Sequence, residues 1–359
     1  MDDSIFDNIE IRENYLEKTI NNLKSSTNKT YIFGTGKPVE FVTQVLNKHG
    51  ISCAGVLTDQ PNSFNSIDSF MNNCKKSINL IAASRSFNKK DIQHYSHKID
   101  YLVDRSFLFG GAIITDSSFM TVELLLRYRS EIEAIYNSLQ DELSKKTLVA
   151  FINTKISLLP HYLNSVKSDS HQYFEDGIIY FSDNEVFVDC GAYTGETAYC
   201  FMEHLNRNGI YSYDSIFSFE PNIESYNKMV EKKLPRHICI NAGVSNIIGK
   251  MRFHKSIFPR MSIVAPKGET TIDVETIDNI LKGKNVTFIK MDIEGMELSA
   301  LKGAAYTIQR HRPKLAICIY HHPSDLWEIP SYIKTLRQDY KLYIRAYKND
   351  ANELVLYAL

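Results

Sequence analysis

The chain has 359 residues, 43% hydrophobic and 23% charged, the make-up of an ordinary globular protein, which excludes wholesale disorder. Its 41 basic and 42 acidic side chains nearly cancel, so no whole-chain attraction draws it to nucleic acid or an anionic membrane. The length exceeds what one core usually serves, and two domains are expected.

Cys53, Cys74, Cys190, Cys200, Cys239 and Cys318 show no paired short spacing. That argues against a zinc knuckle or a disulfide framework and fits a reducing cytoplasm. No apolar run approaches the ~18 residues of a membrane span, and the opening Met-Asp-Asp-Ser has no leader character.

Ser4 to Leu23 places Ile5, Ile9, Leu16, Ile20 and Leu23 on one face, predicting an amphipathic helix. Thr30 to Phe33 reads as a strand, Gly34-Thr35-Gly36 as a turn, Pro38 to His49 as a helix and Ile51 to Leu57 as a strand, which together make one βαβ unit. Runs at Ile78 to Ala82 and Tyr101 to Val103 extend the sheet, giving a small Rossmann-like α/β domain over 1–115. Its Gly34-x-Gly36 lacks a third glycine, so it serves packing or a nucleotide-linked acceptor; the arrangement loosely resembles the N-terminal domains of sugar acyltransferases. From Phe119 through Leu124, Tyr128, Ile132, Ile135, Leu139 and Leu143, apolar residues recur at threes and fours and predict a helical connector over 116–172.

The second domain is set at 173–359. Tyr173 to Phe181 suits a hairpin or edge strand leading into Val186, Phe187 and Val188, a buried strand that breaks into Gly191-Ala192-Tyr193-Thr194-Gly195 and then a helix, with Thr194 or Thr197 available to its first amides. Further core strands are Ile216 to Phe219, Ile238 to Asn241, Val286 to Met291 and Leu315 to Ile319, with Met251 to Val264 and Thr271 to Ile277 inserted. Leu342 to Tyr347 and Leu354 to Tyr357 flank Lys348-Asn349-Asp350 and should close as an antiparallel hairpin.

Ligands of an open parallel sheet sit outside the carboxyl ends of its strands. That rule gathers Asp189 and the glycine loop, Glu220 with Pro221 and Asn222, Asn241 with Gly243, Asp292 with Glu294, and His321 with His322. The loop lacks the Gly-x-Gly-x-x-Gly of dinucleotide binding, which favours a nucleoside without phosphates. Glu220 can accept both hydroxyls of a ribose, or merely cap the helix after Pro221.

Val-Asp-Cys-Gly-Ala-Tyr-Thr-Gly-Glu-Thr at 188–197, Phe-Glu-Pro-Asn at 219–222, Ile-Lys-Met-Asp-Ile-Glu-Gly-Met-Glu at 289–297 and Leu-Lys-Gly-Ala at 301–304 resemble the FkbM-type methyltransferase family, from Val186 to the C-terminus. The resemblance implies a C-terminal class I methyltransferase fold, Rossmann-like, with a seven-stranded, mostly parallel sheet closed by an antiparallel C-terminal hairpin. It further implies S-adenosylmethionine as cofactor and O-methylation of a sugar or glycan precursor, with Asp189 and Gly191 in the cofactor loop, Glu220 at the ribose and Asp292 and Glu294 in the active-site Asp-x-Glu-Gly; the loop and the strand-end rule add Ala192, Tyr193, Thr194, Gly195, Thr197, Pro221, Asn222, Asn241 and Gly243 as expected cofactor contacts. Two departures stand out: Tyr193 replaces a common asparagine, and Cys-Ile-Tyr-His-His lacks the usual acid at the fifth strand end.

A hydroxyl acceptor gains from a base, and His321 or His322 would serve near neutral pH. The plainer readings are that Asp292 ties down its loop, Glu294 caps a helix and the histidines fill a turn. Asp292 with His321 could hold a divalent cation, though two ligands are too few to assign one. Lys290 shares the strand face of Asp292 and would pair with it or meet an anionic acceptor, and Trp327 would stack on a sugar or pack in its helix. The expected partners are a glycan or nucleotide-linked sugar and a second copy of the chain. The other class of reading is a nucleotide-sugar-binding or NAD-binding protein whose C-terminal domain is a non-catalytic scaffold.

Overall fold

Short apolar runs alternating with amphipathic helices build parallel sheets in each of two units, one of 1–7, 125–150 and 165–359, the other of 8–124 and 151–164. The computed structural model describes residues 4–11, 15–60, 65–83, 89–103, 120–157, 159–254, 263–264, 270–348 and 352–359.

In the smaller unit, β1 (Lys29–Gly34), β2 (Cys53–Leu57), β3 (Ile78–Ala83) and β4 (Ile99–Val103) form a parallel sheet of order β2-β1-β3-β4. β3 is buried along its whole length, which is why its sequence is a near-continuous apolar run rather than an alternation. Gly34 leaves β1 at φ 146, where an added Cβ would stand 2.3 Å from the Ala83 carbonyl oxygen; only glycine fits there. Ser4 to Leu23 is not one helix. Ile5–Asn8 is a single 3-10 turn and the α-helix is Tyr15–Ser25, because Asn153 binds the intervening backbone, accepting from Glu10 N and donating to Asn8 O.

The larger unit contains β5 (Val186–Cys190), β6 (Ser215–Phe219), β7 (His237–Ile240), β8 (Gly243–Val244), β9 (Gly249–His254), β10 (Ile263–Val264), β11 (Thr270–Glu275), β12 (Phe288–Met291), β13 (Lys314–Cys318), β14 (Leu342–Ala346) and β15 (Leu354–Ala358). Seven make one sheet of order β14-β15-β13-β12-β5-β6-β7, in which β15 runs antiparallel to both neighbours, and β10-β9-β11-β8 make a separate small sheet. This is the methyltransferase-like α/β fold that the motifs imply. Strand order reverses between β5 and β12, so their carboxyl ends frame the crevice.

Tyr173 to Phe181 does not form a hairpin or an edge strand. Tyr173 at φ 73 and Gly177 at φ 77 turn the backbone, and Phe174 and Phe181 pack on Phe201 and Phe288 in the core. Trp327 is buried and stacked on Tyr128 at 4.6 Å, so the sugar-stacking reading of Trp327 fails. The turn Asn349-Asp350, Phe119 and the link between β9 and β10 (255–262) lie outside the described residues.

Candidate active site

The loop after β5 is stapled to β6. Gly191 N and Ala192 N donate to the Phe219 carbonyl at 3.1 and 3.0 Å, Gly195 N donates to Ala192 O at 2.8 Å, and Tyr193 N donates to Glu220 Oε2 at 2.8 Å. These amides have internal partners, so the loop is no anion cradle, in keeping with its missing third glycine. Neither threonine caps the following helix: Gly195 is its N-cap at φ 83, and Thr194 hydrogen-bonds the Glu196 carboxylate instead. Asn222 does cap, accepting from Glu224 N and Ser225 N at 3.0 and 3.1 Å, while Asn241 donates to the carbonyls of Glu220 and Pro221. Both asparagines hold backbone in place.

Glu220 is 7% exposed and its Oε1 accepts Asn222 N at 2.8 Å. Burial pushes its carboxyl up to about 7 against these two amide bonds. Each oxygen keeps a lone pair, and the residue lines a cavity of about 400 Å³, a volume typical of small-molecule sites, which run from about 300 to 1,000 Å³. Gly191, Ala192, Tyr193, Thr197, Pro221, Asn222 and Gly243 line it too, as do Lys290, Asp292 and Glu294; Asp189, Thr194, Gly195, Asn241, His321 and His322 do not.

Asp189 lies beneath the loop, wholly buried, 3.0 Å from the ammonium of Lys290. That ammonium also donates to the carbonyls of Cys190 and Gly191 at 3.1 and 2.8 Å and sits 5.2 Å from the Tyr173 ring. Burial alone would lower its pKa, but the charges of Asp189 and Asp292 raise it. Lys290 is therefore spent on the loop and is not free for an anionic acceptor.

Asp292 receives the hydroxyls of Tyr173 at 2.9 Å on Oδ2 and of Tyr320 at 3.1 Å on Oδ1. Burial would raise its carboxyl; Lys290, His321 and the two hydroxyls hold it below the ordinary value instead. Glu294 follows in the left-handed region at φ 57, and burial, offset in part by His321, pushes it up to about 8. His321 places Nε2 3.5 Å from Asp292 and 3.6 Å from Glu294, and Nδ1 3.1 Å from the fully buried Glu297. Burial would lower its pKa, yet Glu297, Asp292 and Glu294 together draw it up to about 10. Three carboxylates around the ring thus favour its protonated form, which works against the role of base expected at this strand end. His322 turns away: its amide donates to Asp325, and its ring lies over Gly295, where an added Cβ would stand 2.4 Å from Nε2.

Glu297, Tyr173 and Tyr320 escaped the sequence reading. Tyr320 adjoins His321 in the strand end, and Glu297 closes the 289–297 motif, so position was a usable signal for both; nothing local marks Tyr173.

An acid after β6 and an acid pair after β12 line one cavity at the carboxyl edge of a methyltransferase-like α/β sheet. Residues 189–345 match the model of the methyltransferase FkbM domain. This stretch is the one whose motifs carry the FkbM resemblance, and the family match implies methyl transfer. Among solved structures, the chain is similar to a methyltransferase FkbM from Methylobacillus flagellatus KT, 24% identical, covering 97% of this chain and 94% of that one with a TM-score of 0.73, a likeness of fold. An rRNA methylase from Streptococcus thermophilus (13% identical, 49% and 86% covered, TM-score 0.31) and the citrinin polyketide synthase CMeT domain (12%, 66% and 67%, 0.27) are too distant to carry an argument. No curated protein matches at a significant level. Among the described residues no helix is long and apolar enough to cross a membrane.

Proposed function

We propose that the larger unit transfers a methyl group from S-adenosylmethionine to a hydroxyl of a sugar or glycan precursor. The observation that carries this reading is the single cavity in which Glu220 stands at one end and Asp292 with Glu294 at the other. Glu220 fits the nucleoside: its two free lone pairs suit the paired hydroxyls of a ribose, and Ala192, Pro221 and Val244 supply apolar contact around it. When bound, the cofactor supplies a methyl on a cationic sulfur, and the C–O bond forms as the C–S bond breaks, its electron pair returning to sulfur.

The chain's part is alignment and proton acceptance, which supply most of the rate in such a displacement. Asp292, fixed by two tyrosine hydroxyls, orients the acceptor's O–H, and the Asp292–Glu294 pair takes its proton. Gln172 and Lys348, each donating to Glu353, line the same cavity with it and favour a hydroxylated acceptor over an apolar one. Calorimetric titration with S-adenosylhomocysteine tests the reading: one site is expected, at least about tenfold weaker in Glu220→Ala, the loss of roughly one good hydrogen bond to a charged group. No heat with the wild-type chain would overturn it.

A further inference from the structure

The ring of His321 is nine-tenths buried, and among the described residues its Nε2 has no hydrogen-bond partner although it aims between Asp292 Oδ1 and Glu294 Oε2. Buried nitrogens are rarely left this way. Ligand atoms about 2.1–2.2 Å from an ion, at octahedral or tetrahedral angles, stand about 3.0–3.6 Å apart. The separations of 3.5 and 3.6 Å are those of neighbouring vertices around one ion, and the three donor atoms all lie within 4.8 Å of one another.

The surroundings hold the donors in that pose. Glu297 Oε1, fully buried, faces Nδ1 at 3.1 Å and also takes the Ile293 amide at 2.8 Å; a carboxylate beside Nδ1 favours a proton there, leaving Nε2 for a cation that displaces any proton it carries. Tyr173 and Tyr320 fix the Asp292 carboxylate. The left-handed backbone of Glu294, followed by Gly295 at φ 94, brings the second carboxylate to the same point. The neighbouring set Glu297, His321 and Asp325 is also close enough, but both of its acids already serve backbone amides, those of Ile293 and His322.

We propose that Asp292, Glu294 and His321 bind one divalent cation, the mixed carboxylate–imidazole set favouring manganese over magnesium. Three protein ligands leave positions for water and for an oxygen of the acceptor. Its use in catalysis, lowering the pKa of an acceptor hydroxyl, rests on the methyl-transfer reading; the binding itself does not.

The test is titration of Mn²⁺ alone into the full chain, following loss of the free-ion paramagnetic resonance signal, beside calorimetry with S-adenosylhomocysteine. One ion per chain is expected, with at least about tenfold weaker binding in Glu294→Gln, an isosteric change, and about 10–100-fold weaker binding in Glu297→Gln, which acts through His321. Far-ultraviolet circular dichroism checks that both variants fold. No binding at about 1 mM, the weak end of biological divalent sites, or binding indifferent to Glu294→Gln, overturns the cation site. If Mn²⁺ binds and S-adenosylhomocysteine does not, the cation site stands and the methyl-transfer reading falls; the reverse pattern removes the cation site alone.

Discussion

Each end of the cavity carries a carboxylate, and the two are treated oppositely. Glu220 is hydrogen-bonded by backbone amides, and burial leaves its carboxyl near 7. Asp292 is less deeply set, its side chain 23% exposed, and Lys290, His321 and two tyrosine hydroxyls keep it below the ordinary value. Burial raises any acid; charge within reach decides whether the acid stays ionised. One end can thus meet neutral hydroxyls with a carboxyl that gains its charge near neutral pH, while the other holds its negative charge where a proton or a cation must be accommodated.

The sharpest way to break this contrast is Asp292→Asn. Methyl transfer from labelled cofactor should fall by about 10²–10⁴-fold, the usual weight of a positioned acid or base, while S-adenosylhomocysteine still binds. Equal loss of binding in Asp292→Asn and Glu220→Ala would erase the division between the ends. Next in size, Lys290→Met leaves the charge of Asp189 buried without its cation and should cost about 3–5 kcal/mol in denaturant unfolding. Adding Asp189→Asn should restore much of that, since the pair is coupled. Tyr173→Phe removes one donor from an ionised acceptor and should lower turnover by an amount worth about 1.5–3 kcal/mol, with cofactor affinity unmoved.

The smallest effect is one of pH. If Glu220 must be ionised to accept two hydroxyls, affinity for S-adenosylhomocysteine should weaken roughly fivefold between about pH 7 and 6, approaching one proton taken up per site below that. The sign for stability follows from the same shift. Glu220 rises from 4.5 to about 7 on folding, so the folded chain holds the extra proton in that window, and its ionisation costs stability increasingly as pH rises through it. Melting of Glu220→Gln should gain on wild type from pH 4.5 to 7 and stay ahead above it; parallel curves would refute the buried-acid assignment.

Much of this was legible in the chain. β5, β6 and β12 are apolar runs with no competing helical period, and each ends in a small or acidic residue that the sheet rule carries to one crevice. What the sequence could not give was direction of side chains. His321 and His322 are adjacent and chemically identical, yet one faces three carboxylates and the other covers Gly295. Lys290 shares a strand face with Asp292, but its nearest acid is Asp189 on the neighbouring strand, paired with it in register. Tyr173 reaches Asp292 across 119 residues of sequence, and only tertiary packing could reveal it. Its own stretch misled for a local reason: Tyr173 to Phe181 has the composition of a strand, but a left-handed tyrosine and a left-handed glycine break the extended path.

An added Cβ at Gly191 would stand 1.9 Å from the Asp292 carbonyl oxygen, and Asp292 N in turn donates to Cys190 O at 3.1 Å. The first loop and the fourth therefore touch backbone to backbone, with no side chain between them to act as a cushion. Close-packed main chain transmits displacement rather than absorbing it. The segment proposed to hold a nucleoside and the segment that carries Asp292 are thus packed as one mechanical part, so an ångström of settling at the loop after β5 should become an ångström of aim at the loop after β12.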